Sequence, residues 1–150
     1  MSALHLILTI FVIAAFTAAA IVGALAWWAV RPSELFWRLL RASQVSLVAL
    51  VVLDGALLAL GRESEEGLYF LYVLLPVAIS FIAEQLRIGV AESVLEARGL
   101  GSAQAVGDLP QAEQRSIVLA IVRREVGVMT LAALTCAALL VRAAFMAPLT

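Results

Sequence analysis

Long apolar stretches dominate the pattern of hydrophobic and polar positions along this chain. Four of them cover residues 4–30, 39–60, 68–88 and 117–146. A bilayer core of about 30 Å is crossed by about 20 helical residues, because each adds about 1.5 Å. Each stretch reaches or exceeds that length, so the pattern predicts four membrane-spanning helices.

The third span continues as an amphipathic helix past its apolar stretch. Leu86, Val90 and Val94 recur every four residues, and charged side chains take the other faces. Gly99 predicts the end of this helix. We expect helices over about residues 4–30, 36–60, 68–98 and 109–146, within one domain covering residues 1–150.

The start of the last helix is indicated by Asp108, Pro110 and Gln111. Asp108 is the predicted N-cap, Pro110 falls in the first turn, and Gln111 occupies the capping-box position. Residues 99–107 then form a glycine-rich link. The predicted fold is an all-α four-helix transmembrane bundle, in which the third and fourth helices extend as a cytoplasmic hairpin.

Opposite charges indicate how the two arms of this hairpin align. In an antiparallel pair, four matches arise in two neighbouring registers: Glu84 with Arg123, Glu92 with Arg115, Arg87 with Glu125, and Arg98 with Glu113. The alternative is that residues 111–124 lie flat on the membrane surface as an amphipathic helix. The hairpin is favoured because the apolar run 117–122 covers every helical face.

Composition supports the membrane assignment: 64% of residues are hydrophobic, 14% are charged, and the mean hydropathy is +1.06. The first stretch is too long for a signal-peptide core and lacks a preceding basic residue, so we expect a retained helix. Cys136 is the single cysteine, which excludes an intrachain disulfide. All ten basic residues are arginine, as is typical of a GC-rich genome.

The distribution of arginine predicts the orientation. The first connection carries three arginines and the third carries five, whereas the second carries only Arg62 beside three glutamates. Arginine in short loops is retained in the cytoplasm. We therefore expect a bacterial cell-membrane protein with both termini extracytoplasmic. Because the arginines lie close to the membrane, the pattern does not favour nucleic acid binding.

Charged residues inside apolar spans are candidate functional sites. Asp54 lies near the outer end of the second span, and Arg142 lies at a similar level of the fourth. The structural interpretation is an Asp54–Arg142 pair or separate snorkelling to the surface. The functional interpretation is a proton or cation site at Asp54.

A second polar group of residues falls near the inner end of the spans. Its members are Arg41, Gln44, Glu84, Gln85, Arg87, Arg123, Arg124 and Glu125. One interpretation is a solvated girdle of salt bridges. The other is a pocket for an anion or a lipid headgroup, because clustered arginine binds phosphate. Glu84 is the member that we expect to face the bundle interior.

Known catalytic and cofactor motifs do not occur. His5 is the only histidine, so one chain cannot supply two histidine ligands to a haem, and we expect His5 to be a solvated interfacial residue. No phosphate-binding loop, nucleophile elbow or zinc-protease helix is present. The sequence therefore predicts a protein that is not an enzyme and needs no cofactor.

Several segments resemble small four-span membrane proteins of unassigned function from GC-rich actinobacteria. They are Leu4-His5, Phe36-Trp37-Arg38-Leu39-Leu40-Arg41-Ala42, Gly67-Leu68-Tyr69-Phe70-Leu71-Tyr72 and Ala83-Glu84-Gln85-Leu86-Arg87. A fainter likeness, in the first two helices, is to copper-resistance and dihaem cytochrome b membrane proteins. Those proteins place several histidines in different helices, whereas this chain has one. The main resemblance implies a fold and no activity.

These observations leave three functional hypotheses. The first is a non-catalytic small subunit or interaction partner in a bacterial membrane assembly, embedded in the lipid bilayer and contacting another membrane protein or a second copy. The second is a small oligomeric transporter or channel that uses Asp54 and Glu84. The third is a membrane redox or haem-associated protein. Small residues at Ala15, Ala19 and Gly23 predict close packing of the first helix within the bundle.

Overall fold

The computed structural model describes residues 3–61 and 68–146. Within these ranges the chain forms five helices: α1 (Ala3–Ala29), α2 (Glu34–Ala59), α3 (Leu68–Ala97), α4 (Ala103–Gly107) and α5 (Gln111–Met146). The four long helices are apolar enough to span a membrane. The predicted all-α bundle is therefore confirmed, and its helices match the predicted ranges to within about two residues. The glutamates of the connection between α2 and α3 lie outside the described residues.

The packing places α1 and α5 at the centre of the bundle. α5 packs against both α1 and α3, α1 also packs against α2, and the contact between α2 and α3 is more limited. The main core is built around Phe16, Phe36, Leu47, Met129 and Leu140, all of which are buried. Large apolar side chains cover the outward faces of the long helices, as a lipid environment requires.

Small residues allow α1 to approach its neighbours closely. At Gly23, an added Cβ would clash with the Thr130 hydroxyl on α5 and lie 2.6 Å from Phe36 Cε2 on α2. Ala19 is fully buried on the same face. The predicted small-residue seam therefore packs within one chain, and Gly23 is the position where three helices meet.

Helix ends follow local capping rules. The Ser33 hydroxyl accepts a hydrogen bond from Phe36 N and so caps α2. Gly99, with φ of 69°, ends α3 as predicted: its N–H bonds Glu96 O, and the Leu100 N–H bonds Leu95 O. α1 ends in the same way, but Val30 takes the left-handed position with φ of 48°, which is unfavourable for a β-branched residue.

The hairpin beyond the bundle is folded, although its link differs from the prediction. α4 interrupts residues 99–107, and α5 begins at Gln111. The Pro110 carbonyl accepts from the N–H groups of Glu113 and Gln114, so Asp108 is not the N-cap of α5. Instead, the Gln114 amide donates to Leu109 O and Gly107 O, which ties α4 to α5.

A separate apolar cluster holds the arms of this hairpin together. Val90 and Val94 of α3 are buried against Ile117 of α5, and Leu100, Val106 and Leu109 close the tip. The continuous helix through residues 111–146 excludes the alternative in which residues 111–124 turn to lie flat at an angle to the rest of α5. The first fourteen residues of α5 add about 20 Å of helix beyond the level of the bundle core.

The predicted charge register of the hairpin is wrong. None of the four expected pairs forms a salt bridge, although all eight residues are described. Arg98 instead bonds the Ser116 hydroxyl at 3.2 Å, and Arg124 bonds the Ser93 hydroxyl at 3.3 Å. The buried valines and Ile117 set the register, because exposed ion pairs contribute too little to compete with apolar burial.

Candidate functional site

Three buried polar side chains from three helices meet at the end of the bundle where α1 begins. His5 Nε2 lies 2.7 Å from Asp54 Oδ1 and 3.1 Å from the Tyr69 hydroxyl. That hydroxyl donates to Asp54 Oδ2 at 2.9 Å. Only 5% of His5, 6% of Asp54 and 7% of Tyr69 is exposed. Together these residues form a closed network, called the triad below.

Each helix places its triad member by an ordinary packing pattern. His5 occupies the buried face of α1, one turn before Thr9 and two turns before Val12. Asp54 lies five residues before the end of α2, about 8 Å inside the span. Tyr69 is the second residue of α3 and packs with Ala143 of α5. The triad therefore joins α1, α2 and α3 at one level.

The predicted pairing of Asp54 with Arg142 is wrong. Arg142 is exposed and points away from the triad. Its neighbour Ala143 is buried against Tyr69, and successive residues of a helix differ by about 100° in direction. The sequence therefore gave the correct level of Arg142 but the wrong side of the helix. The expectation that His5 is solvated is wrong as well.

A second polar cluster lies at the opposite end, which is called the arginine-rich end below. Arg41 Nη1 lies 2.7 Å from Glu84 Oε1, and Arg87 Nε lies 2.9 Å from Glu84 Oε2. Gln44 accepts from Arg41 at 2.7 Å and donates to Glu84 at 3.3 Å. The Arg87 guanidinium also lies 5.2 Å from the ring centre of Trp37. These contacts bridge α2 and α3.

The other predicted members of that polar group are not brought into the cluster. Gln85 is exposed, because it follows Glu84 and is turned away from α2. Arg123 is exposed on α5, and Arg124 bonds Ser93 of the hairpin. Glu84 faces α2 and keeps 20% of its side chain exposed, so it lies at the edge of the bundle rather than in its interior.

The two clusters differ in what they can do chemically. In the triad, Asp54 is enclosed by two hydrogen-bond donors, and all three side chains are groups that can exchange protons. In the Glu84 cluster, one carboxylate holds two guanidinium groups. Among the described residues, no group of three or more His, Cys, Asp or Glu side chains is arranged to hold a metal ion.

No protein-family model matches the chain, and neither the curated proteins nor the solved structures contain a significant match. The resemblance to small four-span membrane proteins therefore rests on its sequence motifs alone.

Proposed function

We propose that this protein is a small non-catalytic subunit or interaction partner in a bacterial membrane assembly. Its bundle is anchored in the cell membrane, and the hairpin of α3, α4 and α5 presents the contact surface in the cytoplasm. The observation that carries the proposal is the separate apolar core of the hairpin, formed by Val90, Val94 and Ile117. A projection that keeps its own core offers a partner a preformed surface, which reduces the entropy lost on binding.

The polar residues of the bundle support an anchoring role. Asp54 is bonded to His5 and Tyr69, and Glu84 is bonded to Arg41, Arg87 and Gln44. Charged groups in a span are stabilised when they pair with one another. Both carboxylates are thus used to hold the helices of this chain together, and the outward faces of the bundle remain apolar.

Site-specific photo-crosslinking in native membranes tests the proposal. A crosslinking side chain at Val118, exposed on the hairpin, is compared with one at Val52, exposed on the membrane-spanning part of α2. We expect Val118 to give one protein adduct of defined mass and Val52 to give none. The same mass should appear as a bound chain in native mass spectra after gentle detergent extraction.

Three results would contradict this function. Equal adducts from both positions would indicate random collisions in the membrane. A free monomer in the native mass spectrum, without a hairpin adduct, would remove the partner altogether. An adduct at twice the 16.0 kDa chain mass would replace a different subunit with a second copy of this chain.

The orientation is tested separately by cysteine labelling. Since eight arginines flank the first and third connections, we expect Ser64→Cys to react with an impermeant maleimide from outside the cell. Ser102→Cys should react only after the membrane is permeabilised. The opposite pattern would place both termini in the cytoplasm and the hairpin outside.

The triad favours one alternative, a small oligomeric transporter that moves protons through Asp54. His5 and Tyr69 at hydrogen-bond distance give Asp54 two partners that can exchange protons. In this alternative, wild-type proteoliposomes conduct protons and Asp54→Asn abolishes the flux. Equal proton flux in wild-type and variant vesicles would exclude it.

A further inference from the structure

Glu84 fixes the orientation of two arginines that come from different helices. Arg41 extends from α2 and Arg87 lies one turn after Glu84 on α3, and each guanidinium bonds a different oxygen of the same carboxylate. Gln44 adds a further hydrogen bond to each of the other two members of its side. Because these contacts restrain both long side chains, much of their rotamer entropy is already lost before any ligand arrives.

The restrained guanidinium groups retain N–H donors that face away from Glu84. Arg41 uses only Nη1 and Arg87 uses only Nε in hydrogen bonds within the described residues. The two arginines and one glutamate leave one net positive charge. Half of the Arg41 side chain, 51%, is exposed, and so is 29% of Arg87. The cluster thus offers oriented donors and a positive charge to an anion outside the bundle.

The position of the cluster relates it to the bilayer. Arg41 begins an exposed stripe on α2 that continues through Val45, Val48 and Val52 toward the middle of the span. These residues are spaced by four, three and four positions, so they share one helical face. A headgroup bound at Arg41 would therefore have an apolar track beside it along which an acyl chain can lie.

We propose that Arg41 and Arg87, held in place by Glu84, bind the phosphate of an anionic phospholipid at the arginine-rich end. Guanidinium N–H pairs match phosphate oxygens in geometry and charge. Trp37 lies against Arg87 at the headgroup level, where tryptophan is enriched. The limited contact between α2 and α3 leaves the cluster open to lipid from the side.

Native mass spectrometry of the purified chain with defined lipids tests this site. The protein is mixed with phosphatidylglycerol or phosphatidylcholine, and the bound lipids per chain are counted. We expect one tightly retained phosphatidylglycerol, with affinity lowered about tenfold or more by Arg41→Gln and by Arg87→Gln. Arg38→Gln is the matched control, because Arg38 is exposed on the same helix and pairs only with Glu34.

A Glu84→Ala variant separates an oriented site from diffuse attraction. This change adds net positive charge, so diffuse attraction predicts tighter binding of phosphatidylglycerol. An oriented site predicts weaker binding, since both guanidinium groups lose the carboxylate that positions them. Melting curves in detergent accompany each variant, and Arg41→Lys, which keeps the charge without the planar fork, replaces any variant that fails to fold.

The outcomes are decisive in both directions. Equal losses with Arg38→Gln and Arg41→Gln, equal retention of the two lipids, or tighter binding by Glu84→Ala would each overturn the proposal. Displacement of phosphatidylglycerol by millimolar inorganic phosphate would show that a free phosphate anion, and not a lipid, is the ligand. Failure to displace it would support a site that recognises headgroup and acyl chain together.

Discussion

Removal of the His5–Asp54 contact should destabilise the bundle by a measurable coupling energy. Asp54 accepts hydrogen bonds of 2.7 Å and 2.9 Å from two other helices. Polar contacts between membrane helices contribute on average about 0.6 and at most about 1.7 kcal/mol. The short, buried bond from His5 belongs at the upper end of that range, so we expect a coupling of about 1–2 kcal/mol.

Each single substitution should cost more than the coupling alone. Asp54→Ala removes both bonds and leaves two polar groups buried without their acceptor, which we expect to destabilise the fold by about 2–3 kcal/mol. Tyr69→Phe removes one hydroxyl and keeps the ring packed against Ala143, so its effect should be about 1 kcal/mol. The ranking Asp54→Ala above His5→Ala above Tyr69→Phe follows from the number and length of the bonds lost.

A double-mutant cycle measures these energies. Wild-type protein, His5→Ala, Asp54→Ala and the double variant are unfolded with dodecyl sulfate in mixed micelles, and helicity and tryptophan fluorescence report the folded fraction. A second cycle combines Asp54→Ala with Arg142→Ala, which changes an exposed charge at the same end. Additive effects in the first cycle, or coupling in the second, would refute the triad and restore the Asp54–Arg142 pair.

Other perturbations address the packing. Gly23→Leu should destabilise the bundle by about 1–3 kcal/mol, because its side chain would collide with α2 and α5, whereas Gly55→Leu, which meets open space, should unfold like the wild type. Ile117→Ala should lose about 2–5 kcal/mol and speed hydrogen exchange in the hairpin, and Val118→Ala, at an exposed position, should change neither. Cys136 is fully buried, so a maleimide should label it only after unfolding; rapid labelling of the folded protein would contradict this packing.

The ends and lengths of the long helices could be predicted because they depend on local signals. Apolar runs report membrane thickness, and Gly99 ends α3 by a backbone conformation that glycine adopts easily. The start of α5 could not be predicted in the same way. Two competing caps, Asp108 and Pro110, lie close together, and the choice between them depends on the Gln114 amide, which bonds back to α4.

The triad was missed because its members are distant in the chain and their helical faces were not compared. Position along a helix predicted the level of Asp54, but the partner depends on how each helix is rotated. A usable signal existed: His5 precedes Ala19 by fourteen residues, two heptad repeats, and so shares a face with the small-residue seam. The Glu84 cluster was predicted more fully, since its arginines lie close to a helix end where few directions remain.

The order in which the triad residues leave the ribosome bears on how this protein enters the membrane. α1 carries His5 into the bilayer first, and α2 then brings Asp54, whose carboxylate alone in lipid would oppose insertion by about 2.5–3.5 kcal/mol. His5 already lies at the level that Asp54 must reach, and Tyr69 arrives last to complete the network. The histidine of the first helix thereby provides a waiting partner for the charge of the second, and insertion of α2 becomes dependent on correct placement of α1.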